Sequence, residues 1–203
     1  MKLIKTKDSS YTFLNEELNE TYHSISGAIE ESFEKFVKPC SNFKNPKILD
    51  ICFGIGYNSC AALDYFDNCS IVAIEKDEEI LDKIKSLNPD FKNYETIKKV
   101  SRELEYKNII LLIGDARVII KNLSNEFDIV FLDPFSPKKC PELWTLEFFE
   151  EIHKIMKEDS ILTTYSCAKQ IRNNLKEVGF IVKDGPSIGR RSPSTIAIKC
   201  NSA

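Results

Sequence analysis

The chain has 203 residues, 42% of them hydrophobic, which is enough for one well-buried core and too little for two full domains. Its net charge of −3 argues against a protein that coats nucleic acid by bulk electrostatics. No apolar run approaches the roughly 20 residues of a membrane span, and the opening "MKLIKTKDSSYTF" lacks the apolar stretch of a signal peptide, so a cytoplasmic location is expected.

In chain order, residues 1–14 read as a hairpin turning at "DSS" and 24–38 as a helix. From Pro46 onward short apolar runs alternate with amphipathic stretches, the pattern of a parallel sheet covered by helices. Strands are predicted at 47–51, 71–75, 108–113, 127–133, 160–166, 179–183 and 194–200, with helices near 57–67, 77–86, 115–123, 144–157 and 168–178. The stretch 87–107 adds a helix, "NYETIKKVSRELEY", that a minimal alternation does not need. Only "DGPSIGRRSP" separates the last two strands, too little for a crossover helix, so they pair as an antiparallel hairpin. The layout is α/β: a seven-stranded, Rossmann-like sheet with a C-terminal antiparallel hairpin, that of the class I methyltransferase fold. Residues 1–45 form a hairpin-and-helix extension on a Rossmann-like domain of residues 46–203.

Seven cysteines, none in a CxxC pair, suggest no disulfide framework, and two histidines, His23 and His153, are too few for a His-rich metal site, so no metal is expected. Residues 165–203 hold seven basic side chains against two acidic ones, which points to a local anionic partner or to a solvated helix face.

In such sheets ligands bind beyond the carboxyl ends of the strands. The first strand ends in "LDICFGIGYNS", where Asp50 precedes a glycine turn at Gly54 and Gly56, with Asn58 just inside the next helix. The dinucleotide pattern fails at Ser59, whereas acid-x-G-x-G-x-G is met except that Cys52 replaces the first glycine. Glu75 ends the second strand, placed to accept hydrogen bonds from ribose hydroxyls of a dinucleotide or of S-adenosylmethionine. After the third strand, Asp115 either accepts from an adenine amino group, with Ala116 leaving room for the ring, or simply caps a helix. The fourth delivers "FLDPFSPKKCPELW". There Asp133 is either a turn-forming acid or an acceptor for a substrate amine, and Phe135 is a face for a flat base; Leu143 and Trp144 read as core anchors.

"TYHSISGAIEESFEKFV" at 21–37, "ILDICFGIGYN" at 48–58, "FLDPFSPKKCPELW" at 131–144 and "GRRSP" at 189–193 resemble the methyltransferase half of the bifunctional tRNA wobble-uridine modification enzyme, the MnmC-like family. The resemblance implies transfer of a methyl group from S-adenosylmethionine to the amine of 5-aminomethyluridine, or its 2-thio form, at the wobble position of tRNA. It makes Asp133 the catalytic amine acceptor and assigns Gly54, Gly56 and Glu75 to the cofactor, without the fused flavin-dependent oxidase. Two departures stand out: Pro134 replaces a glycine common in the bifunctional enzymes, and the C-terminal motif diverges after Arg191.

The full set of expected cofactor contacts is Tyr22, Ser24, Gly27, Asp50, Gly54, Gly56, Asn58, Glu75, Asp115, Ala116 and Asp133. Tyr22, Ser24 and Gly27 either close over the cofactor or only form a helix entry. Phe135, Lys138, Lys139, Arg190 and Arg191 are expected to meet the tRNA. Asp133 is expected to orient the amine rather than to act as a strong base. Two other readings compete: an aminopropyltransferase of the spermidine synthase type and a non-catalytic cofactor-binding module.

Overall fold

The computed structural model describes residues 1–124, 126–189 and 191–200. β1 (Lys2–Lys5) and β2 (Tyr11–Asn15) pair antiparallel about the "DSS" turn, where Asp8 Oδ1 accepts from the backbone N–H and the hydroxyl of Ser10. A third strand, β3 (Glu20–Thr21), joins β2 because Asn15 Oδ1 accepts from Glu17 N and Leu18 N and folds the chain back. The helix expected over 24–38 starts later, as α1 (Ala28–Glu31), since residues 24–27 make their own turn with Gly27 N donating to Ser24 O. It continues as a π-helical stretch, Ser32–Val37, and ends in a 3-10 turn containing Pro39, which has no backbone N–H to donate.

The rest of the chain runs β4 (Lys47–Ile51), α2 (Tyr57–Tyr65), β5 (Ser70–Glu75), α3 (Glu78–Ile84), α4 (Tyr94–Glu103), β6 (Glu105–Tyr106), β7 (Ile109–Ile113), α5 (Ala116–Ile119), β8 (Phe127–Leu132), α6 (Leu146–Ile155), β9 (Met156–Thr164), α7 (Lys169–Val178), β10 (Ile181–Asp184) and β11 (Thr195–Lys199). These strands form one sheet in the order β10-β11-β9-β8-β4-β5-β7-β6. β4, β5, β7, β8 and β9 are mutually parallel, and β11 lies antiparallel between β9 and β10, as the short final connection requires. The sheet has one strand more than the seven expected: β6 pairs antiparallel with β7 after Leu104 turns the chain out of α4 at φ 62°.

Side chains alternate between the faces of the sheet, and both faces are dry. Ile48, Ile71, Ala73, Ile129 and Phe131 join a core with α2, α3 and α4, to which Phe13, Ala28 and Phe36 of the front segment also belong. Leu49, Ile51, Ile74, Val130 and Leu132 join the other core, with α6 and α7. Burial on both sides is why these strands read as unbroken apolar runs.

Strand order reverses at β4, where Ile51 is in register with Ile74 of β5 and Leu132 of β8. Cys52, Glu75 and Asp133 therefore leave the sheet at one level, beside the crevice where a sheet of this kind takes its ligand. Among the described residues, no helix is long and apolar enough to cross a membrane, and no cluster of three or more His, Cys, Asp or Glu could hold a metal ion.

Candidate active site

At that level a cavity of ≈ 670 Å³ opens, within the ~300–1,000 Å³ range of small-molecule sites. Its wall includes Tyr22, Ser24, Gly54, Glu75, Asp115, Ala116, Asp133, Phe135 and Lys139. One end is built by backbone. Glu75 Oε2 accepts from Gly54 N at 2.7 Å, and Oε1 accepts from Lys76 N at 2.8 Å and Asp77 N at 2.7 Å. Three of about four carboxylate acceptor positions are thus in use, leaving one on Oε2 open to a ligand hydroxyl. Burial raises the Glu75 pKa against those backbone bonds. Cys52, at the pattern's first glycine, still takes the left-handed turn, φ 69°.

Other residues of the glycine loop support the site from behind. Asp50 is fully buried, accepts from Ser59 Oγ at 2.6 Å and is pushed by burial up to about 7. Gly56 lies off the wall, where its Cα faces Ile97 and Phe53. Asn58 also lies behind the wall, and its Nδ2 donates to Asp133 Oδ2 at 2.8 Å. Gly27 stands at the start of α1 against the Asp8 carboxylate, away from the cavity.

Asp115 is a helix cap that also faces the cavity. It caps α5 by accepting from Arg117 N at 3.0 Å. The Arg117 guanidinium grips both of its oxygens, at 3.0 and 2.6 Å, and holds its pKa down to about 2.

Across the cavity, the Asp133 side chain is 7% exposed. Burial and then the charge of Glu31 raise its pKa well above the ordinary carboxylate value, against the Asn58 hydrogen bond. The loop behind it is pinned at three points: Tyr165 Oη donates to Pro134 O at 3.0 Å, Trp144 Nε1 to Phe135 O at 2.9 Å, and Ser136 N and Oγ to the Glu20 carboxylate at 2.8 and 2.7 Å. Leu143 and Trp144 are buried anchors. Phe135 meets the Tyr22 ring edge-on at 5.0 Å, and Tyr22 Oη donates to Asp77 Oδ2 at 2.6 Å. Lys138 and Arg191 are exposed and off the wall, and Arg190 lies outside the described residues.

The family described as S-adenosyl-L-methionine-dependent methyltransferase matches residues 78–200. The crystal structure of MNMC2 from Aquifex aeolicus matches with a TM-score of 0.81 at 33% identity, covering 100% of this chain and 71% of that one. This chain belongs to the MnmC-like methyltransferases. The methyltransferase is 39% identical to the uncharacterized protein MJ0670 of Methanocaldococcus jannaschii over 97% of its own length, and spans 59% of that relative. It is 26% identical over 92% of its length to the tRNA 5-methylaminomethyl-2-thiouridine biosynthesis bifunctional protein MnmC of Leptospira interrogans, of which it spans 33%.

Its cofactor is S-adenosylmethionine, and the cavity suits that molecule. Gly54, at φ +56°, lets the main chain approach closely, since a Cβ there would lie 3.2 Å from Tyr22 Cδ1. Glu75 keeps its acceptor position for a hydroxyl, and Ile74, Ala116 and Leu143 supply apolar wall for a flat ring. Several wall residues of the methyltransferase carried no assignment in the sequence reading: Glu20, His23, Glu31, Lys35, Cys140 and Tyr165. The Glu31–Lys35 pair was visible as i,i+4 spacing, which ordinarily marks a solvated helix face. Here the pair is buried, with Lys35 Nζ 2.7 Å from Glu31 Oε1.

Proposed function

We propose that this methyltransferase N-methylates a primary amine, the 5-aminomethyl group of uridine or 2-thiouridine at the wobble position of tRNA. The observation that carries the reading is Asp133: a nearly buried carboxylate on the cavity wall, with no lysine or arginine paired to it among the described residues. The biosynthetic role named for the bifunctional relatives supplies the amine-bearing nucleoside.

A free amine of this kind resembles lysine, with a pKa near 10.4, so releasing its proton at neutral pH costs about 5 kcal/mol in water. Burial lowers that cost, because it disfavours both the ammonium and the carboxylate and brings their pKa values together. Asp133 is then more than an orienting acceptor: it takes the proton and keeps the nitrogen lone pair aimed into the cavity. Bound S-adenosylmethionine supplies a sulfonium methyl group that a neutral amine attacks directly. The chain's own task is alignment, which is worth about 7–11 kcal/mol when the reacting atoms are held in line. Phe135 stacks the uracil ring, and Lys139 on the cavity wall, with Lys138 and Arg191 outside it, meets phosphates.

The test is methyl transfer from labelled cofactor into hypomodified tRNA. Asp133→Asn is expected to lower kcat at least 100-fold while cofactor affinity, read by calorimetry, stays within about threefold. Retention of a third of the wild-type rate would sink the reading. A parallel reaction with decarboxylated cofactor and a diamine is expected to give no aminopropyl product; product there would support the rival enzyme instead.

A further inference from the structure

Behind Asp133 lies a group the mechanism above does not use. His23 is 5% exposed, and its Nδ1 is buried without a hydrogen-bond partner among the described residues. That nitrogen stands 3.6 Å from Asp133 Oδ2 and 4.0 Å from Glu31 Oε2. The ring is stacked on Tyr57, with centroids 5.3 Å apart and 15° between planes. Its backbone is fixed by His23 N donating to Thr12 Oγ1 at 3.0 Å, so the imidazole is aimed rather than loose.

Two carboxylates and an aromatic face stand around one ring nitrogen, so an imidazolium formed there meets opposite charge, against the burial that keeps the ring neutral at rest. Each carboxylate attracts the charge, and the Tyr57 ring adds a cation–π contribution. The remaining charged groups nearby are the Lys35 ammonium, already neutralised by Glu31 at 2.7 Å, and the buried acid Asp50, whose charge bears on Asp133. Glu31 is fixed as well, because its Oε2 accepts from Ser24 N at 2.9 Å.

We propose that His23 is the second station for the substrate proton, receiving at Nδ1 the proton that Asp133 takes from the ammonium. The inference rests on the amine reading of Asp133. Each step balances. The ammonium N–H bond breaks and an Asp133 O–H bond forms; that proton then moves to His23 Nδ1, which restores the carboxylate. The neutral amine takes the methyl group and leaves as a methylated ammonium, and His23 returns its proton to solvent when the cavity empties. A carboxylate restored before methyl transfer can hold the amine by its remaining N–H, which a protonated Asp133 with its single donor does less well. Without a ligand His23 is neutral, since burial takes its pKa down to about 4. A positive charge there signals delivery of a proton, not the resting state.

Because the chain has only two histidines, His23 and His153, their ring signals are separable by NMR after 13C labelling of histidine. In the complex with S-adenosylhomocysteine and aminomethyl-bearing tRNA, where no methyl is available, the His23 titration midpoint is expected to rise by at least one pH unit over the cofactor-only complex. His153 should not move. An unshifted His23 overturns the proposal without needing any variant. In kinetics, His23→Asn is expected to keep KM for tRNA within about threefold, to lower kcat 10- to 100-fold at pH 7 and to recover most of it near pH 9.5, where solvent base removes the proton. A constant ratio to wild type across that range would also overturn it. Asp133→Asn separates the two ideas: if it stays active the amine reading itself fails, whereas an inactive Asp133→Asn with a silent His23 removes only the relay.

Discussion

A methyl group at position 56 would have no room. The Cβ would lie 2.5 Å from Ile97 Cγ2 and 2.7 Å from Phe53 Cζ, at a φ of +75° that L side chains rarely adopt. Gly56→Ala is therefore expected to cost about 2–3 kcal/mol, a fall of about 5–10 °C in Tm for a domain of this size. Cofactor affinity measured well below Tm should change less than threefold, because the position packs against the core. Asp50 gives a pH-dependent counterpart. Its folded pKa of about 7 stands above the ordinary 3.8, so between those values the folded protein holds a proton that the unfolded chain has released. Stability contributed at this position thus falls as pH rises from about 4 to 7 and then levels off. Asp50→Asn should flatten that slope in urea titrations and gain up to about 4 kcal/mol at pH 8, with little difference at pH 4. Asp133 and Glu75 were legible from the sequence because a strand-end acid is recognisable once the strand is. His23 and Glu31 were not: they reach Asp133 from more than a hundred residues away, through packing that no local pattern encodes.

The hairpin of β2 and β3 and the loop after β8 act together. Glu20 accepts two hydrogen bonds from Ser136, while Tyr22 touches Phe135 and donates to Asp77 beyond β5. The front segment thereby ties the Asp133 side of the cavity to the Glu75 side. Glu20→Ala removes two charge-assisted hydrogen bonds, and their partial exposure limits the effect to about 1–2 kcal/mol. The expected outcome is a rise of about tenfold in KM for tRNA with a fall in Tm of no more than about 6 °C, measured by steady-state kinetics and calorimetry. Most elements were legible because short unbroken apolar runs alternating with amphipathic stretches, and short connections, leave few alternatives. The departures have local causes. β6 is two residues long, below any periodicity signal, and the late start of α1 comes from a turn that Ser24 and Gly27 close by themselves.

Across the whole molecule, charge is segregated. Among the described residues the cavity wall carries eight acids, Glu17, Glu20, Glu31, Glu75, Asp77, Asp115, Asp133 and Glu142, against the lysines Lys35, Lys76 and Lys139. Phosphates are repelled from such an interior, so the proposed tRNA would meet its phosphates through Lys139 on the cavity wall and through Lys138 and Arg191 beyond it. Lys138→Ala with Lys139→Ala is expected to lower the slope of log affinity against log salt by about one to two, with no change in cofactor affinity. An unchanged slope would place the RNA elsewhere. The same acidic interior has a consequence for turnover. A sulfonium is positively charged, and the thioether left after the methyl group departs is not. An excess of acids over lysines around one site therefore favours fresh cofactor over spent, and inhibition by S-adenosylhomocysteine should grow relative to donor binding as ionic strength rises and that preference is screened.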